Sequence, residues 1–179
     1  GFEPFMGMNI NSSWEAVRQL PDELLGCRVI KRELPVEWYA CVNLLRQYME
    51  EAGMETYTDA VGNLFGRIPG KSDAIVMSGS HRDTVRHGGK YDGMLGVLTA
   101  LRAAGDLKAE LGVPEKTVEV VAFCEEESSR FPTSYLGSRN LTGDLRPEEL
   151  EDLDADGISL RDAMKRCGYL QGEVGVPHE

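Results

Sequence analysis

"DAIVMSGSHRDTVRHGGKYDGMLGVLTAL", residues 73–101, decides how the chain is read. The apolar run Ala74–Met77 breaks at glycine, which predicts a buried strand over 73–80. From Met94 to Glu110 the text is rich in Leu and Ala and reads as a helix. Between them stand His81 and His87, two of the chain's three histidines, with Asp83 and Asp92, among Gly88, Gly89 and Gly93. Further on, "KTVEVVAFC", 116–124, is a second strong strand that runs directly into "EEESSR". Strand, helix, strand in that order predicts an α/β domain, with functional groups past the C-terminal ends of the strands.

In such a sheet the two strand ends lie on one edge. His81, Asp83 and Asp92 then meet Glu125, Glu126 and Glu127 in one crevice. One imidazole with several carboxylates suits zinc, manganese or a similar divalent ion. Without a cation the carboxylates repel one another. An apolar strand ending abruptly in three glutamates is unusual for mere surface decoration. His87 lies in the turn and takes no ligand role. His178, near the last residue, takes none either, and Asp59 and the acidic residues at 151–156 are read as exposed.

Working outward, Asn11, Ser12 and Ser13 offer caps for a short helix from Trp14 to Leu20, ended by Pro21. Residues 27–34, "CRVIKREL", read as a short strand. Tyr39, Val42, Leu45, Tyr48 and Met49 recur at helical spacing between Glu37 and Ala52, with Gly53 as the cap. Short strands are expected near 55–58 and 63–68. Beyond Asn140 the acidic text predicts two short helices.

The bulk numbers exclude several classes. At 179 residues, 41% hydrophobic and 27% charged, the composition is globular. A net charge of −11 disfavours nucleic acid, which needs a basic surface, and is compatible with cation binding. No apolar run is long enough for a membrane span, and no signal segment is expected at the start. Cys27, Cys41, Cys124 and Cys167 are widely spaced without a C-x-x-C pair, so they read as reduced thiols of a cytoplasmic protein. The first residue is Gly1 and the last are "GVPHE"; both ends are read as cut.

Four stretches now resemble a known family: "DAVGNLFGRIPG", "SGSHRDTVRHGGKYDGMLGVLTAL", "VEVVAFCEEESSRF" and "LGSRNLTG". In this order, over about residues 38–170, they look like the hydantoinase/carbamoylase branch of the dinuclear-metal aminoacylase and carboxypeptidase-like amidohydrolases. Its members include N-carbamoyl-L-amino-acid hydrolases and allantoate amidohydrolases. The resemblance implies a mixed, mostly parallel sheet flanked by helices, of the metallo-aminopeptidase/carboxypeptidase type. It implies two divalent metal ions, zinc or manganese, with cobalt and nickel also fitting. His81 would bind one ion, Asp92 would bridge the two, and Glu127 would bind the second. Asp83 would orient the His81 imidazole through its carboxylate, and Glu126 would be the general base. Glu125 takes no direct role, and Arg130 is either an anion contact or a structural salt-bridge partner. Ser128 stands where glycine is common. The partner implied is a small-molecule substrate, with neither nucleic acid nor membrane. The family's further ligand histidines and its dimerisation insert are absent from these residues, so the catalytic domain is read as truncated.

The first 35 residues, "GFEPFMGMNINSSWEAVRQLPDELLGCRVIKRELP", are similar instead to the start of a pyroglutamyl peptidase, a cysteine enzyme. Phe2, Pro4 and Phe5 fall in its G-F-E-P-F loop. Two domains are therefore expected, 1–35 and 36–179. The expected function is metal-dependent hydrolysis of linear C–N bonds, as in N-carbamoyl-L-amino acids or allantoate, impaired by truncation. The alternatives are a pyroglutamyl-peptidase-like fragment and a non-catalytic fusion fragment.

Overall fold

The computed structural model describes residues 15, 17–29, 31, 38–85, 88–89 and 91–178. The expected caps at 11–13, Trp14, the loop residues Phe2, Pro4 and Phe5, residues 32–34 of the expected strand and His87 lie outside the described residues. The chain divides into two compact units, residues 1–48 and 49–179.

In the first unit β1 (Glu23–Leu24) pairs antiparallel with β2 (Cys27–Arg28). The two-residue loop between them, Leu25 and Gly26, has φ of 52° and 79°. Left-handed backbone at both positions matches the twist of a tight hairpin. Helix α1, Trp38–Glu51, buries Val42, Leu45 and Met49 on one face, as their spacing predicts. Its end lies in the second unit. There Gly53 adopts φ 78°, Met54 N–H bonds the Met49 carbonyl and Gly53 N–H bonds that of Glu50. These paired bonds satisfy carbonyls that the helix itself leaves open.

The second unit is built on a four-stranded sheet: β3 (Glu55–Thr58), β4 (Leu64–Ile68), β5 (Ser72–His81) and β6 (Lys116–Phe123), in spatial order β3–β4–β6–β5. The sheet is mixed. β3 and β4, and β4 and β6, run antiparallel, while β5 and β6 run parallel. Parallel pairing requires a crossover, supplied by α2 (Met94–Leu111), which packs on β5 and β6 and buries Met94, Val97, Ala100 and Ala104. A second apolar cluster, including Val61, Phe131, Leu136, Leu150 and Met164, gathers α3 (Leu136–Thr142), a 3-10 turn (Pro147–Glu151) and α4 (Leu160–Arg166).

Several expectations are corrected. The run 73–80 is a strand but not a buried one. Among the described residues β5 is an edge strand, paired only with β6, and Val76 is 50% exposed. Asp59 is not a solvated acid. Its Oδ1 accepts the N–H groups of Val61 and Asn63, and its Oδ2 accepts the amides of Asn63 and Asn140. Within 151–156, the Asp154 side chain is only 5% exposed and pairs with Arg130 at 2.9 Å, so Arg130 is the structural salt-bridge partner. His178 is anchored on the sheet: Nε2 lies 2.8 Å from the fully buried Glu119, and the ring stacks on Phe65 at 5.0 Å. Burial works against ionisation of Glu119, but bonds from Tyr57, His178 and Arg67 outweigh it and hold its carboxyl below the usual range.

Arg139 holds Glu149 through two bonds, of 2.8 and 2.6 Å, and the Arg146 N–H adds a third. The Arg139 guanidinium is the main reason that the Glu149 carboxyl falls to about 2. A carboxyl lowered on folding adds stability above its unfolded value near 4.5, lost as pH falls towards 2. Glu149→Gln is therefore expected to cost roughly 1–2 kcal/mol at pH 7 and to flatten the acid limb of a pH-resolved thermal melt between those values.

Candidate metal centre

The parallel register sets His81 opposite Phe123, the last residues of β5 and β6. Arg82 N–H continues the ladder to the Phe123 carbonyl. The chain after β6 therefore emerges beside His81, and it is the chain that carries Glu125, Glu126 and Glu127. Asp92 comes from the other direction, two residues before α2. Gly93 takes φ 68°, and a Cβ there would lie 2.5 Å from both Nδ1 and the carbonyl of His81. Only glycine lets the start of α2 approach the imidazole this closely.

The result is a group of three. His81 Nε2 lies 3.7 Å from Asp92 Oδ1 and 3.8 Å from Glu127 Oε1. The three ligand atoms lie within 4.8 Å of one another, on side chains 16%, 28% and 37% exposed. The Asp92 carboxylate is steadied by the Thr84 hydroxyl, which donates to Oδ2 at 2.9 Å and leaves Oδ1 facing the imidazole.

Asp83 acts otherwise than expected. The atom within bonding distance of His81 Nδ1 is the Asp83 main-chain carbonyl, at 2.6 Å. A carbonyl only accepts, so Nδ1 carries the hydrogen and Nε2 faces the two carboxylates. The Asp83 carboxylate is used elsewhere: Oδ1 accepts Glu126 N–H at 3.1 Å and Oδ2 accepts Glu127 N–H at 2.8 Å. One residue thus fixes the imidazole with its backbone and the acidic turn with its side chain. The turn is tied at its far end as well, by Tyr135 N–H to the Glu126 carbonyl and Leu136 N–H to that of Glu125. Glu125 and Tyr135 have φ of 54° and 57°, left-handed values that close this loop.

Glu126 stands apart from the three. Its Oε1 accepts Ser138 N–H at 2.6 Å and its Oε2 accepts the Ser138 hydroxyl at 2.8 Å. Burial, with the charge of Asp83 adding to it, pushes the Glu125 carboxyl up to about 7. Ser138 and Thr84, which bond the Glu126 and Asp92 carboxylates, are the residues of this candidate site that sequence reasoning missed. The motif "LGSRNLTG" marked the right segment, but no spacing tied its serine to Glu126.

The donor set fits a divalent cation. Ligand atoms about 2.0–2.2 Å from zinc in a tetrahedral site are separated by roughly 3.4 Å, close to the 3.7 and 3.8 Å between His81 Nε2 and the two carboxylate oxygens. An imidazole nitrogen facing two carboxylate oxygens is an arrangement that a cation can bridge. A backbone acceptor on the remote nitrogen is the usual support of a metal-ligating histidine.

The model of peptidase family M28 matches residues 63–156, and that of pyroglutamyl peptidase matches residues 1–77. An allantoate amidohydrolase of Bacillus subtilis (strain 168) is 45% identical over 139 residues, 76% of this chain and 34% of that protein. An N-carbamoyl-L-amino acid amidohydrolase of Geobacillus stearothermophilus is 47% identical over 128 residues, 70% of this chain and 31% of that protein. Among solved structures, a hydantoinase/carbamoylase family amidase from Burkholderia ambifaria superposes with a TM-score of 0.66 at 41% identity, covering 72% of this chain and 32% of that one. The chain spans about a third of the length of the curated relatives it matches. The pyroglutamyl peptidase match extends beyond residue 35 and overlaps the M28 match over 63–77.

Asp83→Asn offers one acceptor oxygen to two N–H donors, and is expected to destabilise the chain by about 1–3 kcal/mol. Nitrogen NMR of the ring should still show His81 carrying its hydrogen on Nδ1. A hydrogen moved to Nε2 would mean instead that the Asp83 carboxylate governs the imidazole.

Proposed function

The chain belongs to peptidase family M28, whose model covers more than half of it, and from that footing we propose that it carries the metal-binding part of a hydrolase for linear C–N bonds. The substrate class proposed is N-carbamoyl-L-amino acids or allantoate, as named for the relatives. The observation that carries this reading is the convergence of His81 Nε2, Asp92 Oδ1 and Glu127 Oε1. Three acceptor groups face one another on a scaffold that fixes each of them.

His81, Asp92 and Glu127 would hold the metal, with Asp92 between the other two if two ions bind. Zinc and manganese suit this mixture of nitrogen and oxygen donors. When bound, the metal supplies Lewis-acid polarisation of a carbonyl and of a water. The protein's residues do the rest. Asp83 and Thr84 keep the donors in place. Glu126, beside them, takes the proton from the attacking water. It then returns that proton to the leaving nitrogen as the C–N bond breaks.

A cysteine-peptidase reading finds no support at Cys124. Complete burial pushes this thiol up to about 12, far from the thiolate a nucleophile needs. Among the described residues no helix is long and apolar enough to cross a membrane.

The test is titration of the metal-stripped chain with zinc and with manganese, following heat and melting temperature together. Binding at micromolar Kd or tighter, with a rise in melting temperature, is expected, because a ligand that binds only the folded state stabilises it. Asp92→Ala should weaken binding by tenfold or more, in line with about 1.4 kcal/mol per decade. Binding unchanged by Asp92→Ala would remove the metal from this site. Release of amine and ammonia from N-carbamoyl amino acids and allantoate then separates the two substrate types.

A further inference from the structure

Every polar atom of Glu126 is committed. Its N–H donates to Asp83, its carbonyl accepts from Tyr135, and both carboxylate oxygens accept from one residue, Ser138. The neighbouring Glu127 is placed differently. Its N–H also donates to Asp83, but its carboxylate faces His81. Two consecutive glutamates on one turn are thus sorted, one into the donor group and one out of it. What does the sorting is Ser138, which presents a main-chain N–H and a hydroxyl to the two oxygens of the same carboxylate. The hydroxyl lies 3.4 Å from the Tyr135 carbonyl as well, but its one hydrogen goes to the nearer, charged acceptor at 2.8 Å.

Without such a hold, an ionised side chain next to a divalent cation is drawn to it as a further ligand. A carboxylate bound to the metal is a much weaker proton acceptor, because the cation stabilises its charged form. Resting on the metal-centre reading above, we propose that Ser138 is a positioning residue for Glu126. Its N–H and hydroxyl keep the Glu126 carboxylate outside the His81–Asp92–Glu127 donor set, so that it serves as proton acceptor and not as a fourth ligand.

The test is a double-mutant cycle read by zinc affinity on the metal-stripped full chain, and it needs no turnover. In the unmodified chain, Glu126→Gln should change the zinc Kd by less than about threefold, because Glu126 is not a ligand. Ser138→Ala removes the hydroxyl and should tighten zinc binding by about tenfold, as Glu126 moves onto the ion. In the double variant that gain should vanish, a coupling of a size expected for residues in direct contact. Ser138→Thr keeps both donors and should restore the unmodified affinity. If Ser138→Ala does not fold, Ser138→Cys, with its weak S–H donor, replaces it in the cycle. A merely structural role for Ser138 gives weaker or unchanged zinc binding with no dependence on Glu126; that result, or additive single effects, overturns the proposal. So does a tenfold loss on Glu126→Gln alone, which would make Glu126 a ligand already. Asp92→Ala runs alongside. Zinc binding that survives it overturns the metal-centre reading and this proposal together, whereas binding lost in Asp92→Ala with no coupling overturns the role of Ser138 alone.

Discussion

In the parallel register of β5 and β6, His81 stands opposite Phe123, and everything at the candidate site follows from that pairing. Parallel strands end on the same edge of a sheet, so the last side chain of one lies beside the first loop residues of the other. Antiparallel pairing, which holds the rest of this sheet, would have sent the acidic triplet to the opposite edge. The crossover helix needed to make two strands parallel is the same helix whose start brings Asp92 to the imidazole. Topology thus brings three candidate ligands together from segments that are not neighbours in the chain.

The site is then stiffened by polar groups that are satisfied one by one. Asn63, fully buried, donates to Asp59 and to the Gly137 carbonyl while its Oδ1 accepts Cys124 N–H. Asp59 in turn receives Asn140 from α3. These bonds tie the β3–β4 connection, the end of β6 and the start of α3 into one block. The acidic turn lies between two of its members, Cys124 and Gly137. Burying amides and carboxylates is costly unless each finds a partner, and here each does.

Much of this was legible in the chain. The strands near 55–58, 64–68 and 116–123 and the two long helices are marked by their apolar patterns, and His81, Asp92 and Glu127, which the structure brings together, sit near the ends of those elements. What escaped was set by tertiary context. An apolar run such as 73–80 shows that a strand forms, but not how many strands flank it, so the exposure of Val76 could not be read. Helix α3 has seven residues and starts after Tyr135 in a left-handed conformation, with none of the usual capping side chains. Asp83 was picked out, but residue type does not say whether its carbonyl or its carboxylate meets the imidazole. His178 finds Glu119 from 59 positions away, a pairing no local pattern announces.

The electrostatics point to the same place. A chain with net charge −11 must manage its acids, and several of the enclosed ones have partners of their own, Glu125 excepted, whose carboxyl burial pushes up to about 7. Glu119 has Arg67, Tyr57 and His178; Glu149 has Arg139; Asp154 has Arg130; Asp59 and Asp83 have amide donors; Glu126 has Ser138. Asp92 and Glu127 break the pattern. Among the described residues, the Glu127 carboxylate meets only His81, and Asp92 has one hydroxyl for its second oxygen. Each instead turns an oxygen toward His81 Nε2. Here two carboxylate oxygens gather around one imidazole nitrogen, and a cation is a partner that such a gathering suits.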